Sequence, residues 1–251
     1  MLRFRSTPLL LLFCLSAPIV AASASGAEEV ADLGSGRLVL VPVNLGVRAN
    51  AEVEPGLAPV WQEMLEHFAD GERPVTALER TSAGALWNEI VAELEAGGQK
   101  DVYAAYAGFA KRISEQLDYE KIVFPSLVLR KARLQGSGAY WDGVHRRVDS
   151  PLVGHEAVNR ITGEDLLVYR QGLNGDIAAA SLHVAVLDAG GALRFEGAGG
   201  LTVLQDVVAG EDRSDAKLDV TMREDAFSDR AELREGIVAA FRQPLPASQA
   251  H

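Results

Sequence analysis

Arg37-Leu38-Val39-Leu40-Val41-Pro42-Val43-Asn44 is the stretch that decides the fold. Its apolar residues run unbroken instead of alternating with polar ones. A strand covered on both faces reads this way. Pro42 has no N–H to give to a ladder, so it belongs at the strand's end or at an irregularity. A loop rich in Gly, Asn and Glu follows, up to Pro55-Gly56.

Downstream, the pattern turns helical. Pro59 suits a first helical turn, and Val60, Trp61, Met64, Leu65 and Phe68 recur at helical spacing until Asp70-Gly71. Residues 74–79 make a short second strand. Thr81 or Ser82 is placed to cap a second helix, with Leu86, Trp87, Ile90, Val91 and Leu94 as its buried stripe and Gly97-Gly98 as its stop. A third helix runs from about Asp101 to Leu117. The first half is therefore β-α-β-α-α.

The second half changes character. Residues 121–134 begin apolar and end basic, as a strand. Asp142-Gly143, between Trp141 and Val144, is a two-residue hairpin signal, because both turn residues tolerate positive φ. Gly136-Ser137-Gly138 is a rival site for that turn, or a bend. Residues 151–175 are of mixed polarity, with a candidate strand at 165–170. Two strands at 177–187 and 192–206 flank Asp188-Ala-Gly-Gly191, and Gly197-Ala-Gly-Gly200 marks a bulge or close strand contact. A charged loop follows at 211–219, then a last helix over about 229–242, ended by Pro244 and Pro246. The expected architecture is α+β: a mixed sheet with helices packed on it and a mainly antiparallel second half. It forms one domain over 28–246, with a loose tail at 247–251.

Residues 1–27 read as an export signal. Arg3 and Arg5 form a basic start, Leu9–Val20 an apolar core, and small residues offer cleavage after Ala27 or Ala24. The apolar core is shorter than the roughly 20 residues of a membrane span. Cys14, the chain's one cysteine, sits among bulky neighbours in mid-core, where it cannot serve as a lipid acceptor. The mature protein is expected to be soluble in the periplasm, with neither thiol nor disulfide and no transmembrane span. Its formal charge is −11, and loss of Arg3 and Arg5 makes it more negative. Such a surface repels nucleic acid and anionic lipid headgroups.

Several stretches, taken in order, resemble a family of bacterial envelope proteins. They are Leu38-Val-Leu-Val-Pro-Val43, a helix, then Leu78-Glu79-Arg80 leading straight into a second helix. Next come Leu117-Asp118-Tyr119-Glu120-Lys121-Ile122-Val123, then Val184-Ala-Val-Leu-Asp188 with its Gly-Gly turn, and a closing amphipathic helix. The family includes the curli-secretion lipoprotein and the amino-terminal domain of the Tol-Pal translocation protein. The resemblance implies a scaffold used for assembly and protein contact, not for turnover. The chain departs from the secretion lipoproteins in lacking the lipid-acceptor cysteine and long membrane-inserting hairpins.

Catalytic and metal constellations do not emerge from the residues. His67, His145, His155, His183 and His251 are not paired at ligand spacing on one helix, and His145, His155 and Glu156 are separated by a loop. There is no Gly-x-Ser-x-Gly elbow. No catalytic residue, metal or cofactor is therefore expected. The unusual local feature is a set of cations, Arg130, Lys131, Arg133, Arg146 and Arg147, near Tyr140, Trp141 and His145. An exposed aromatic and arginine tip suits contact with a partner or an anionic ligand; the competing reading packs Trp141 into the core and pairs the cations with nearby acids. The expected function is a non-enzymatic envelope assembly or interaction module that meets another envelope protein. The alternative is a small-ligand-binding auxiliary component of envelope transport.

Overall fold

Leu38–Leu40 forms strand β1, and its side chains feed two separate cores. In the computed structural model, which describes residues 31–245 apart from Asp32, Glu72, Ser137, 149–173 and 210–217, both faces of this strand are covered. Leu38 and Leu40 meet Val60, Met64 and Phe68 of α1 (Leu57–Ala69) and Leu233 and Ile237 of α4 (Arg230–Ala240). Val39 and Val41 meet Trp87 and Ile90 of α2 (Arg80–Ala96) and Tyr106, Phe109 and Ile113 of α3 (Val102–Ser114). The unbroken apolar run thus serves two layers at once. The leader, the candidate strand at 165–170 and the tail 247–251 lie outside the described residues.

The fold is α+β, with a seven-stranded mixed sheet. β1 runs parallel to both β2 (Val75–Ala77) and β3 (Lys121–Gln135). β3 pairs antiparallel with β6 (Asn174–Asp188) along all fifteen residues of each strand. β6 in turn pairs with β7 (Leu193–Val203). The far end of β3 turns into β4 (Gly138–Trp141), which pairs with β5 (Val144–Arg147). Both turn sites weighed from the sequence are used: the chain reverses between Gln135 and Gly138, with φ of 60° at Gly136, and Asp142-Gly143 joins β4 to β5, with φ of 35° and 72°. β8 (Gln205–Ala209) and β9 (Leu218–Met222) form a separate two-stranded sheet. β9 replaces the end of the expected charged loop.

One edge of β3 is shared between β1 and β4, and Asn44 extends its pairing past β1. Its backbone N–H donates to Pro125 O (2.9 Å), and its side-chain amide both donates to Leu127 O (3.2 Å) and accepts from Leu127 N (2.6 Å). One carboxamide so imitates the peptide group of a missing strand. Asn44 adopts φ of 58°, a left-handed conformation that Asn tolerates better than most side chains. Pro42, just beyond β1, accepts from Leu45 N in the turn that carries Asn44 there.

Helix starts are set by carboxylates. Asp101 and Asp229 accept backbone N–H groups at the heads of α3 and α4. At α2 the cap is Glu79 rather than Thr81 or Ser82; it accepts from the N–H of both, which holds its carboxyl at about 2. α1 and α4 are clasped by Glu63, a buried acid gripped by Arg230 and Arg234.

Gly197, Gly199 and Gly200 let β7 lie against α4 and the β4–β5 hairpin. A Cβ at Gly199 would stand 2.0 Å from Gly236 O, and one at Gly200 would stand 2.2 Å from Val144. The same stretch contains a bulge, since Ala180 and Ser181 pair with Thr202 and Gly200 and leave Leu201 extra. The Gly-Ala-Gly-Gly cluster is therefore both a bulge and a close contact, as the sequence implied.

Gly199→Ala should lower stability by about 1–3 kcal/mol, because helix backbone must move to admit the methyl group. Gly84→Ala, in a helix with open space around it, should raise stability by about 0.5–1 kcal/mol. Urea unfolding midpoints of the two variants test this pair, and equal shifts would contradict it.

Candidate functional site

Strand alternation sorts the eight sequence-selected residues into three groups. Successive side chains of β4 and β5 point to opposite faces. Trp141 and Arg146 point inward, and both are buried. Tyr140, His145 and Arg147 point outward together with Lys131 and Arg133 of β3, and all five are exposed. Arg130 lies on the opposite face of β3 and enters a polar cleft described below.

The expectation that Trp141 and Arg146 belong to an exposed tip is therefore corrected. Trp141 packs with Ala132, Leu134, Ala139, Val144 and Val203, and its indole N–H donates to Ala180 O (3.2 Å). The Arg146 guanidinium turns to α4, donating to Glu232 O (3.1 Å) and pairing with the carboxylates of Glu232 and Glu235. These two residues hold the hairpin down, and Gly200 N donating to Asp142 O (3.1 Å) pins its turn to β7. Burial raises the Glu232 carboxyl above its usual range, more than Arg146 lowers it.

What remains outside is an ordered row. Asp176, Arg133, Tyr140 and His145 sit directly opposite one another across β6, β3, β4 and β5. Tyr140 and His145 stack with ring centroids 4.4 Å apart. Gly138 makes room for them, since a Cβ there would meet His145 Nε2 at 2.5 Å. Tyr140 is 47% exposed, among the most exposed large hydrophobic side chains of the described residues.

The cleft lies on the opposite face of the sheet. α2 and α3 cover the start of that face over Ile122, Phe124, Ala185 and Leu187. The curled hairpin covers its far end over Ala132, Leu134, Ile177 and Ala179. Between them the strands carry Ser126 and Arg130 from β3, Ser181 and His183 from β6, and Glu196 from β7. The residues are polar where the two apolar covers stop. Tyr103 of α3 donates its hydroxyl to Glu196 Oε1, and Asp142 at the hairpin turn pairs with Arg130 Nε at 3.3 Å. His183 Nε2 lies 3.1 Å from Glu196 Oε1, a close approach without hydrogen-bond alignment.

Four atoms here are cut off from solvent and have no hydrogen-bond partner among the described residues: Arg130 Nε, Asp142 Oδ2, Ser181 Oγ and His183 Nε2. Arg130 Nε and Asp142 Oδ2 face each other and His183 Nε2 faces Glu196, so these three have a charged neighbour without hydrogen-bond alignment. Ser181 Oγ has none, and an unmatched group of that kind costs about 1–3 kcal/mol and calls for an explanation. The charged side chains remain partly open: Arg130 is 34% exposed, His183 23%, Asp142 16% and Glu196 10%. Burial holds the His183 imidazole below its usual range, against the opposing pull of Glu196. Burial and the adjoining Glu196 hold the Tyr103 phenol far above its usual range, so it stays protonated as a donor.

The sequence reading missed the cleft. Its signal was Ser126 and Arg130, and Ser181 and His183, recurring on one face of otherwise apolar strands. Of the other singled-out residues, His155 and Glu156 lie outside the described residues. Among those described, no three His, Cys, Asp or Glu side chains are grouped to hold a metal ion, and no helix is long and apolar enough to cross a membrane. No family model, no curated protein and no solved structure matches this chain.

The histidines make stability pH-dependent. Burial depresses both His183 and His67 in the folded protein. The unfolded chain therefore takes up protons first as pH falls through about 6.5, and stability drops toward pH 5. The depressed carboxyls of Glu79, Glu66 and Asp188 lose their contributions only below about 4.5. Glu232, with a raised carboxyl, opposes the trend. Melting temperature should fall from pH 7 to pH 5, with a shallower fall in His183→Gln; an identical slope in that variant would refute the assignment.

Proposed function

We propose that this chain is an exported envelope protein that works by docking another protein, not by turnover. The contact is the outward face of the β4–β5 hairpin. The observation that carries the reading is the row Arg133–Tyr140–His145, flanked by Lys131 and Arg147, on a chain of net charge −11. Cations beside exposed aromatic rings favour an acidic partner surface and speed its approach. The buried Trp141 and Arg146 support this reading, because they fix the hairpin before a partner arrives and reduce the ordering lost on binding. The leader-like segment 1–27 supports an envelope address. The likeness to the curli-secretion and Tol-Pal proteins supports an assembly role.

A second reading, a small-ligand-binding component of envelope transport, is favoured by the cleft, where Ser181 Oγ has no hydrogen-bond partner among the described residues. Convergent polar groups between apolar walls are what such sites use.

The docking reading is tested with a photoreactive residue at Tyr140 in intact cells. It should crosslink to an envelope protein, and the double reversal Lys131→Glu, Arg133→Glu should reduce that crosslink about tenfold with little change in melting temperature. Arg146→Glu should instead destabilise by about 3–5 kcal/mol, since it buries a charge among Glu232 and Glu235. A crosslink unaffected by the double reversal would end the docking proposal. The same preparation should begin after Ala24 or Ala27 and fractionate with the periplasm.

A further inference from the structure

We propose that the cleft between α3 and the β4–β5 hairpin binds a small organic cation bearing a protonated amine, with Glu196 as its counter-ion. The proposal rests on the ligand-binding reading above and names the ligand class. Three lines of geometry lead to it.

The first is charge. The side chains converging on the cleft include the carboxylates of Glu196 and Asp142 and a single guanidinium, that of Arg130. Asp142 is matched by Arg130, which leaves the Glu196 carboxylate with a phenol and an imidazole for neighbours. Tyr103 keeps its proton, and burial lowers the affinity of His183 for one. Among the described residues, the Glu196 carboxylate therefore has no guanidinium or ammonium partner in a place only partly reached by water, where attraction for a cation is stronger than in bulk solvent.

The second is the lining. Tyr103 and Tyr106 stand at the α3 side, with their rings in edge contact at 6.0 Å. Aromatic faces favour cations, and organic ammonium groups in particular. With no three metal-ligating side chains grouped among the described residues, the cation is held by charge, hydrogen bonds and ring faces rather than by coordination.

The third is the unmatched hydroxyl. Ser181 is fully buried, its Oγ has no partner among the described residues, and it shares the cleft face with His183 two residues along β6. An N–H donor arriving from the cleft would give Ser181 Oγ the partner it lacks and the Glu196 carboxylate a charged one.

Protonation of His183 sets the sign of the pH response. The charged groups around it are Glu196 from β7, Arg130 from β3 and Asp142 from the hairpin turn, with the Tyr103 hydroxyl reaching Glu196 from α3. A proton on the imidazole supplies the positive charge that the amine would otherwise provide. Acid should therefore compete with the ligand.

The test is calorimetric titration of the full exported chain with putrescine and choline, and with acetate and phosphate as anionic probes. Saturable binding of an amine at pH 7, weakened about tenfold by Glu196→Gln and not weakened by Arg130→Gln, would establish the proposal. Amine affinity should fall between pH 7 and pH 5 in the native chain and stay level in His183→Gln. Should Glu196→Gln fail to fold, Tyr103→Phe serves instead; by freeing the carboxylate from its phenol it should strengthen amine binding. Binding of acetate or phosphate but of neither amine would overturn the amine assignment and leave the ligand-binding reading standing. No binding by any of the four probes would overturn both.

Discussion

The fifteen-residue ladder between β3 and β6 is the constraint on which the rest of the structure depends. It is longer than the helical layers that cover it. Four helices suffice for its first half, where Val123 and Leu127 face one core and Ile122 and Phe124 the other. Beyond Leu129 the helices give out, and the ribbon must find another cover for its apolar residues. It does so by doubling back through β4 and β5, so that Trp141 and Val144 shelter Ala132, Leu134 and Ala179. Asn44 extends the pairing of the same β3 edge past β1, by bonding Pro125 and Leu127.

Both candidate surfaces follow from that excess length. The hairpin has one face turned in and one turned out, so its alternation alone creates an exposed row of cations and aromatic rings on a fixed support. The cleft is the seam where the helical cover ends and the hairpin cover begins. Polar side chains are tolerated there because neither cover reaches them fully. At the seam, Ser181 Oγ has no hydrogen-bond partner among the described residues.

Elements with a strong local signal were legible in the sequence. The double-sided run at 38–43, the stripes of α1 to α4 and the Asp-Gly turn each state their structure through periodicity or φ preference. Other features depend on partners distant in sequence. Glu79 takes the α2 cap because the helix starts at Arg80, ahead of Thr81 and Ser82, and its carboxylate accepts from the N–H groups of those two residues. Trp141 and Arg146 read as surface anchors because nothing local shows that Gly200 leaves space for an indole, or that Glu232 and Glu235 await a guanidinium. Arg130 and Lys131 are neighbours in sequence and stand on opposite faces. A cluster in the sequence of a strand is two clusters in space, and the composition of the stretch could not reveal which half was which.

Hydrogen exchange of individual backbone amides tests the central claim most directly, namely that the ladder and the hairpin that doubles back on it form one cooperative unit. The account predicts that amides of β4 and β5 are protected to within about tenfold of those in the middle of β3 and β6, and open with them. Hairpin amides exchanging at the rate of an unstructured chain, while β3 and β6 stay protected, would contradict it.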